Sequence, residues 1–164
     1  MKKLTDFATH AYTKLFDVVA MYFISLLLFS FLYDYIYTHP MCELCVLARV
    51  WMFTIVMVAL VARGLSTYST FFVVVLSVML WAGLMASVWH FQLYQTHMLQ
   101  SACIYVAGPV YLPVSIYNFL GQFYRFAPCE AAVYTFLGWT FMWWNIISYT
   151  ALLVFYNAFL LGRP

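Results

Sequence analysis

The amino-acid sequence predicts an all-α membrane protein, a single domain built as a four-transmembrane-helix bundle. Apolar residues make up 67% of the 164 residues and charged residues only 7%, whereas a soluble domain carries about 25% charged residues. Long uncharged intervals separate these charges, and a spanning helix needs about 20 apolar residues. Because the chain is so apolar, its composition predicts the lipid bilayer as a partner. The net charge of +2 is too small to indicate a nucleic-acid partner.

The intervals between charges give the bounds of the predicted helices. The first interval follows Asp17 and ends with Asp34 near the membrane surface, and the second is interrupted by Arg49 alone. No Asp, Glu, Lys or Arg occurs over residues 64–124 or 131–162. The predicted helices therefore lie near residues 17–37, 44–62, 69–94 and 135–160, with outer loops near 38–43 and 95–134.

The first helix is predicted to be retained rather than cleaved as a signal peptide. Lys2 and Lys3 precede its apolar run, as in a signal peptide, but the run begins late and is long enough to span. No small-residue cleavage site of the A-x-A kind follows it. We therefore count it as a membrane-spanning helix.

The basic residues predict the orientation of the bundle. Four spans put both termini and the turn between the second and third helices on one side, which holds Lys2, Lys3, Lys14, Arg63 and Arg163. The other side holds Arg125, with Arg49 near its membrane surface. Cytoplasmic loops carry the excess of Lys and Arg, so both termini are predicted to be cytoplasmic and the loops 38–43 and 95–134 to face outward.

All four cysteines fall on or beside the two outward loops. Cys42 and Cys45 form a Cys-x-x-Cys at the start of the second helix, and Cys103 and Cys129 lie in the second loop. Four cysteines allow three pairings, of which pairing within each loop is the simplest. Disulfides persist in oxidising compartments, which agrees with the orientation given by the basic residues.

The Cys-x-x-Cys pair favours redox exchange over a structural role. A disulfide between Cys42 and Cys45 closes so small a ring that it restricts the unfolded chain little. A helix N-terminus favours a thiolate, and Arg49 lies one turn after Cys45 on the same face. A stabilised thiolate is a good leaving group in thiol exchange. The alternatives are a structural disulfide and a four-sulfur zinc site, although Cys103 and Cys129 lack the usual paired spacing.

The second outer loop carries two further predictions. A Cys103–Cys129 disulfide would stabilise the fold by roughly 3–4 kcal/mol through loop closure, so that pair alone is consistent with a structural role. Apolar residues at helical spacing predict a short interfacial helix on the membrane surface: Ile116, Phe119, Leu120 and Phe123. The alternative is an ordinary apolar loop packed on the bundle.

Several single residues are candidates for a site. Arg49 is an ionisable residue at membrane depth, where such residues are costly and usually functional, although its side chain can also extend to the interface. His90 and His97 lie near the outer end of the third helix, where a histidine serves either as an interface hydrogen-bond partner or in a direct role. Most tryptophans are typical of interfacial belt residues.

Together these residues resemble the DsbB family of bacterial thiol oxidases. The resemblance rests on Cys-x-x-Cys at the start of the second helix, on Arg49 four residues later, and on a two-cysteine loop between the third and fourth helices. Residues 92–93 and 97–100 look like the family segment that leads into that loop, and residues 136–138, with Trp144 following, look like its entry into the fourth helix. One departure is Ala48, where an acidic residue is common.

The resemblance implies a thiol:quinone oxidoreductase of the bacterial inner membrane with periplasmic cysteine loops. A reduced DsbA-like thioredoxin-fold protein would attack the Cys103–Cys129 disulfide at Cys103. The electrons would pass to Cys42–Cys45 and from Cys45 to a membrane quinone, ubiquinone or menaquinone.

The resemblance also implies a quinone site. Arg49 and Cys45 would face the quinone, and His97 and Trp144 are further candidate quinone-binding residues. The alternative from another class is a non-enzymatic membrane interaction or assembly protein with two structural disulfides, and a third is a zinc-binding membrane protein.

Overall fold

The structure is a computed structural model that describes residues 2–37, 43–65, 69–95, 135–137 and 139–161. Its helices are α1 (Lys2–Tyr37), α2 (Glu43–Gly64), α3 (Ser69–Gln95) and α4 (Phe141–Leu161). Two short strands, β1 (Thr135–Phe136) and β2 (Trp139–Thr140), precede α4. The predicted interfacial helix and most of both outer loops lie outside the described residues.

All four helices are long and apolar enough to cross a membrane. The spanning segments are Tyr12–Ile36, Leu44–Gly64, Thr70–Gln95 and Phe141–Leu161. At 1.5 Å per residue, even 21 residues reach about 31 Å, which matches the hydrocarbon core of a bilayer. α1 packs along α2, α2 along α3 and α3 along α4. The prediction of a four-helix membrane bundle is confirmed.

Two helix starts differ from the sequence-based bounds. α1 begins at Lys2 instead of near residue 17, because the polar residues before the span can continue a helix outside the bilayer. α4 begins at Phe141 instead of near residue 135. Leu137 has a φ of 53°, in the left-handed region that an α-helix cannot include. The described residues before α4 instead form a hairpin of two antiparallel strands, in which Phe136 pairs with Trp139.

The core of the bundle consists of large side chains that meet between the helices. The largest fully buried side chains are Tyr156, Phe16, Phe23, Leu15, Ile55, Leu76, Leu80 and Val19. Large apolar side chains such as Leu28 and Phe71 are exposed on the outside, where lipid would cover them. Tyr156 donates a hydrogen bond of 2.5 Å to the carbonyl of Val73, which ties α4 to α3.

Gly83 allows α3 and α4 to approach closely. A Cβ atom at this position would lie 2.5 Å from Cε1 of Tyr149 and 2.9 Å from its hydroxyl oxygen. Real Cβ atoms essentially never approach a neighbour this closely. Small residues commonly mark such close helix contacts in membranes. The ring of Tyr149 therefore occupies the space that any larger residue at position 83 would need.

Two ion pairs among the described residues join α1 to α2. Near the C-terminal end of α2, Arg63 Nη1 lies 3.2 Å from Asp17 Oδ1, and both side chains are well exposed. Near the other end, Arg49 Nη2 pairs with Asp34 Oδ2, and only 14% and 11% of these side chains are exposed. The two arginines are 14 positions apart on α2, or about 21 Å. The two ion pairs therefore connect α1 to α2 at two positions along the length of the helices.

Candidate functional site

A cavity of about 240 Å³ opens among the four helices near the Arg49–Asp34 pair. Each helix and the hairpin contribute to its wall. The polar lining residues are Ser30, Asp34, Cys45, Arg49, His90, Thr140, Asn145 and Ser148. The remaining lining is apolar and aromatic: Leu26, Phe29, Ala48, Met52, Phe136, Phe141, Met142 and Trp144. The cavity therefore combines aromatic walls with a small set of polar groups, the composition typical of small-molecule sites.

Cys45 and Arg49 lie together in the wall contributed by α2. α2 begins at Glu43, so Cys45 belongs to its first turn and is half-buried. There the unsatisfied amides and the helix dipole favour a negatively charged sulfur. Arg49 follows one turn later on the same face. The α2 wall thus presents a sulfur and a cation to one cavity, as the four-residue spacing predicts.

Two contacts to α1 hold the guanidinium of Arg49. Asp34 pairs with its Nη2 atom, and the ring of Phe31 lies 5.2 Å from Cζ in a cation–π contact. A buried charge is tolerated only when a partner compensates it. Pairing with Asp34 therefore lowers the energetic cost of placing the Arg49 cation at membrane depth. Asp34 is not among the site residues that the sequence predicts.

The signal that could have identified Asp34 is the isolation of its charge. Asp34 is the one charge near the end of the first uncharged interval, and Arg49 is the one charge within the second. Single opposite charges in adjacent spans favour pairing, because each is costly in a membrane without the other. The sequence does not give the rotation of each helix, which decides whether such residues meet.

Aromatic rings form the wall on the side of the hairpin. Phe136 lies between Phe29, with ring centroids 5.2 Å apart, and Trp144, at 6.0 Å. Trp144 Nε1 donates a hydrogen bond of 3.0 Å to the carbonyl of Phe136. Trp144 thus lines the cavity, but its one hydrogen-bond donor holds the hairpin. A ligand in the cavity would therefore contact the ring face of Trp144 and not its N–H group.

His90 contributes a polar group from α3. Its side chain is buried, with 7% exposed, and it lines the same cavity as Cys45 and Arg49. Within the described part of the chain, Nε2 of His90 has no hydrogen-bond partner. Buried polar groups are nearly always hydrogen-bonded, so an exception needs an explanation.

Several predicted site residues lie outside the described residues: Cys42, Cys103, Cys129 and His97. Their predicted roles remain predictions. Within the ranges that the structure describes, no group of three or more His, Cys, Asp or Glu residues is arranged to hold a metal ion.

The fold and the cavity define a polytopic membrane protein in which a cysteine and a paired arginine border an internal aromatic site. A family model described as "Disulfide bond formation protein DsbB" matches residues 12–159. The chain therefore belongs to the DsbB family, whose members form disulfide bonds as membrane thiol oxidoreductases. The matched range includes the first three spans, all but the last two residues of the fourth, and all four cysteines. Nothing matches the chain among curated proteins or among solved structures.

Proposed function

We propose that this protein is a thiol:quinone oxidoreductase of the bacterial inner membrane. It would reoxidise a DsbA-like thioredoxin-fold protein of the periplasm and transfer the electrons to a membrane quinone. The observation that carries the proposal is the shared cavity, in which Cys45 and Arg49 border an aromatic space within the bilayer-spanning bundle. A thiol at this depth is accessible to a lipid-soluble oxidant.

The residues of the cavity fit a quinone ring. A cavity of about 150 Å³ already holds benzene, so about 240 Å³ suffices for a substituted six-membered ring. The aromatic rings of Phe136 and Trp144 offer stacking faces, and Arg49 offers donors for a ring oxygen. When bound, a quinone supplies an oxidant that accepts two electrons and two protons. Either ubiquinone or menaquinone satisfies this requirement.

The outer loop would receive electrons from the soluble partner. A thiolate of the reduced partner attacks the Cys103–Cys129 disulfide at Cys103, forms a mixed disulfide and releases the Cys129 thiolate. The partner's second thiol then resolves this bond, so the partner leaves oxidised and the loop pair becomes a dithiol. Exchange with the Cys42–Cys45 disulfide restores the loop pair and leaves Cys42 and Cys45 reduced. Each exchange conserves two electrons and two protons.

Arg49 and Asp34 would prepare Cys45 for its role. The helix N-terminus and the guanidinium both stabilise the Cys45 thiolate. The carboxylate of Asp34 holds the guanidinium to α1 and restricts its orientation. The apolar walls exclude water, which strengthens these charge interactions. The chain thereby supplies position and electrostatics for the sulfur.

The experiment is oxidation of a reduced thioredoxin-fold dithiol protein by purified protein with a short-tailed quinone. Wild type should catalyse it, and Cys45→Ser should abolish it; an intact rate in Cys45→Ser would contradict the proposal. Arg49→Ala should mainly raise the apparent KM for quinone, whereas the matched control Arg63→Ala should leave it unchanged.

Arg49→Ala also leaves the Asp34 carboxylate without its cation. The double variant Asp34→Asn/Arg49→Gln removes this buried charge and should show the same raised KM. An unchanged quinone dependence in both variants would reject the role assigned to Arg49.

Alkylation of thiols before and after reduction distinguishes the enzyme from a protein with two structural disulfides. The enzyme should contain two oxidised pairs, with Cys42–Cys45 much easier to reduce than Cys103–Cys129. Two equally resistant disulfides would favour the structural alternative.

A further inference from the structure

The buried imidazole of His90 is a polar group that the proposed relay does not use. We propose that His90 binds the quinone, with Nε2 hydrogen-bonded to a ring oxygen, and that it donates a proton as that oxygen is reduced. This inference rests on the proposed function, because it assigns a residue to the quinone site. Its basis is the position of His90 in the cavity wall together with its Nε2 atom, which has no hydrogen-bond partner among the described residues.

A buried Nε2 atom without a partner among the described residues is unfavourable unless a ligand contacts it. Leaving a buried donor or acceptor unsatisfied costs its desolvation energy, and only 7% of His90 is exposed. An apolar residue on this face of α3 would avoid that cost. A ligand oxygen in the cavity would satisfy the atom, so the binding of a ring that carries oxygens explains why an imidazole stands here.

The charge balance of the cavity makes His90 suitable for proton transfer. The charged or titratable groups among its described lining residues are Asp34 on α1, Cys45 and Arg49 on α2, and His90 on α3. Asp34 and Arg49 are paired with each other. The described lining residues of α4 are uncharged. Among these described residues, His90 and Cys45 are therefore the titratable groups that lie outside the ion pair.

The protons balance across the reaction. Converting the Cys42–Cys45 dithiol to a disulfide releases two electrons and two protons, which equals what one quinone takes up to become one quinol. The imidazole takes up one of the protons released by the thiols and passes one proton from Nε2 to the ring oxygen that it contacts, which returns the imidazole to its starting form. The second proton released by the thiols goes to the other ring oxygen.

The first test measures binding, independently of turnover. Affinity for a short-tailed benzoquinone is read from the quenching of tryptophan fluorescence in detergent, since Trp144 lines the cavity. His90→Leu should weaken binding about tenfold, the loss expected for one buried hydrogen bond. His90→Gln keeps a donor and should stay within about threefold. The matched control Ser87→Ala, which alters a buried hydroxyl one turn away that donates to Gly83, should bind like wild type.

The second test separates binding from proton donation. His90→Gln should bind quinone yet form quinol about 100-fold more slowly, the loss typical of a missing general acid. A wild-type rate in His90→Gln would overturn proton donation. Wild-type affinity in His90→Leu would overturn the binding role.

A spectroscopic measurement on wild type covers the case in which His90→Leu fails to fold. With ¹⁵N-labelled histidine, quinone should shift the histidine signal that is missing in His90→Gln. Quinone binding without a shift of this signal would overturn the inference alone. A folded wild type that binds no quinone would instead overturn the proposed function.

Discussion

Asp34→Ala is expected to destabilise the bundle much more than Asp17→Ala, although each substitution removes the carboxylate of one ion pair between α1 and α2. The difference follows from burial. Arg49 and Asp34 are 14% and 11% exposed, whereas Arg63 and Asp17 are 60% and 42% exposed. The chemistry of the two pairs is the same, so a comparison isolates the effect of the environment.

The magnitudes follow from what remains after each substitution. Asp34→Ala leaves the Arg49 cation largely buried without its partner, and breaking a buried pair in this way costs about 3–5 kcal/mol. Asp17→Ala leaves Arg63 free to extend to the interface, and exposed pairs contribute about 0.2–1 kcal/mol. The expected gap in the free energy of unfolding is therefore about 3 kcal/mol. The double variant Asp34→Asn/Arg49→Gln removes both charges and should recover at least half of the Asp34→Ala loss.

The assay is reversible unfolding in mixed micelles, followed by circular dichroism and by tryptophan fluorescence. Wild type, the two single variants and the double variant are compared at one detergent composition. If Asp34→Ala and Asp17→Ala differ by less than about 1 kcal/mol, the burial argument is refuted. A double variant as unstable as Asp34→Ala would show that the loss does not come from an uncompensated charge.

Three further predictions use the same unfolding assay. Gly83→Ala should cost about 1–3 kcal/mol through overpacking against Tyr149, whereas Gly64→Ala, where a Cβ meets nothing within 4 Å, should be nearly neutral; equal effects would contradict the close α3–α4 contact. Tyr156→Phe should lose about 0.5–1.5 kcal/mol, because the buried hydrogen bond from its hydroxyl to the Val73 carbonyl is removed, and a neutral result would count against that bond. Leu137→Gly should raise stability by up to about 1 kcal/mol by relieving the left-handed backbone; destabilisation would indicate that the exposed side chain has a packing role.

The sequence was sufficient for the parts of the molecule that depend on local spacing. Uncharged intervals predict the spans, because the cost of a charge in lipid is independent of how the helices pack. The shared cavity wall of Cys45 and Arg49 follows from a separation of four residues on one helix. Both predictions depend on a single segment of chain.

The features that the sequence did not reveal depend on contacts between segments. The Asp34–Arg49 pair requires that α1 and α2 present particular faces to each other. The sequence predicts helix where the hairpin before α4 lies, because residues 135–140 are uncharged and continue into the span. His90 lines the cavity because of the rotation of α3 about its own axis. The surface of α3 is almost uniformly apolar, so its sequence does not reveal that rotation.

The most direct test of the central claim is the stoichiometry of quinone reduction. Purified protein is supplied with a limiting amount of reduced thioredoxin-fold dithiol protein, and quinol is measured by absorbance while free thiols are counted. Electron transfer from Cys45 to a quinone predicts one quinol for every two thiols oxidised and no quinol with Cys45→Ser. Thiol oxidation without quinol formation, or an unchanged yield with Cys45→Ser, would contradict the account.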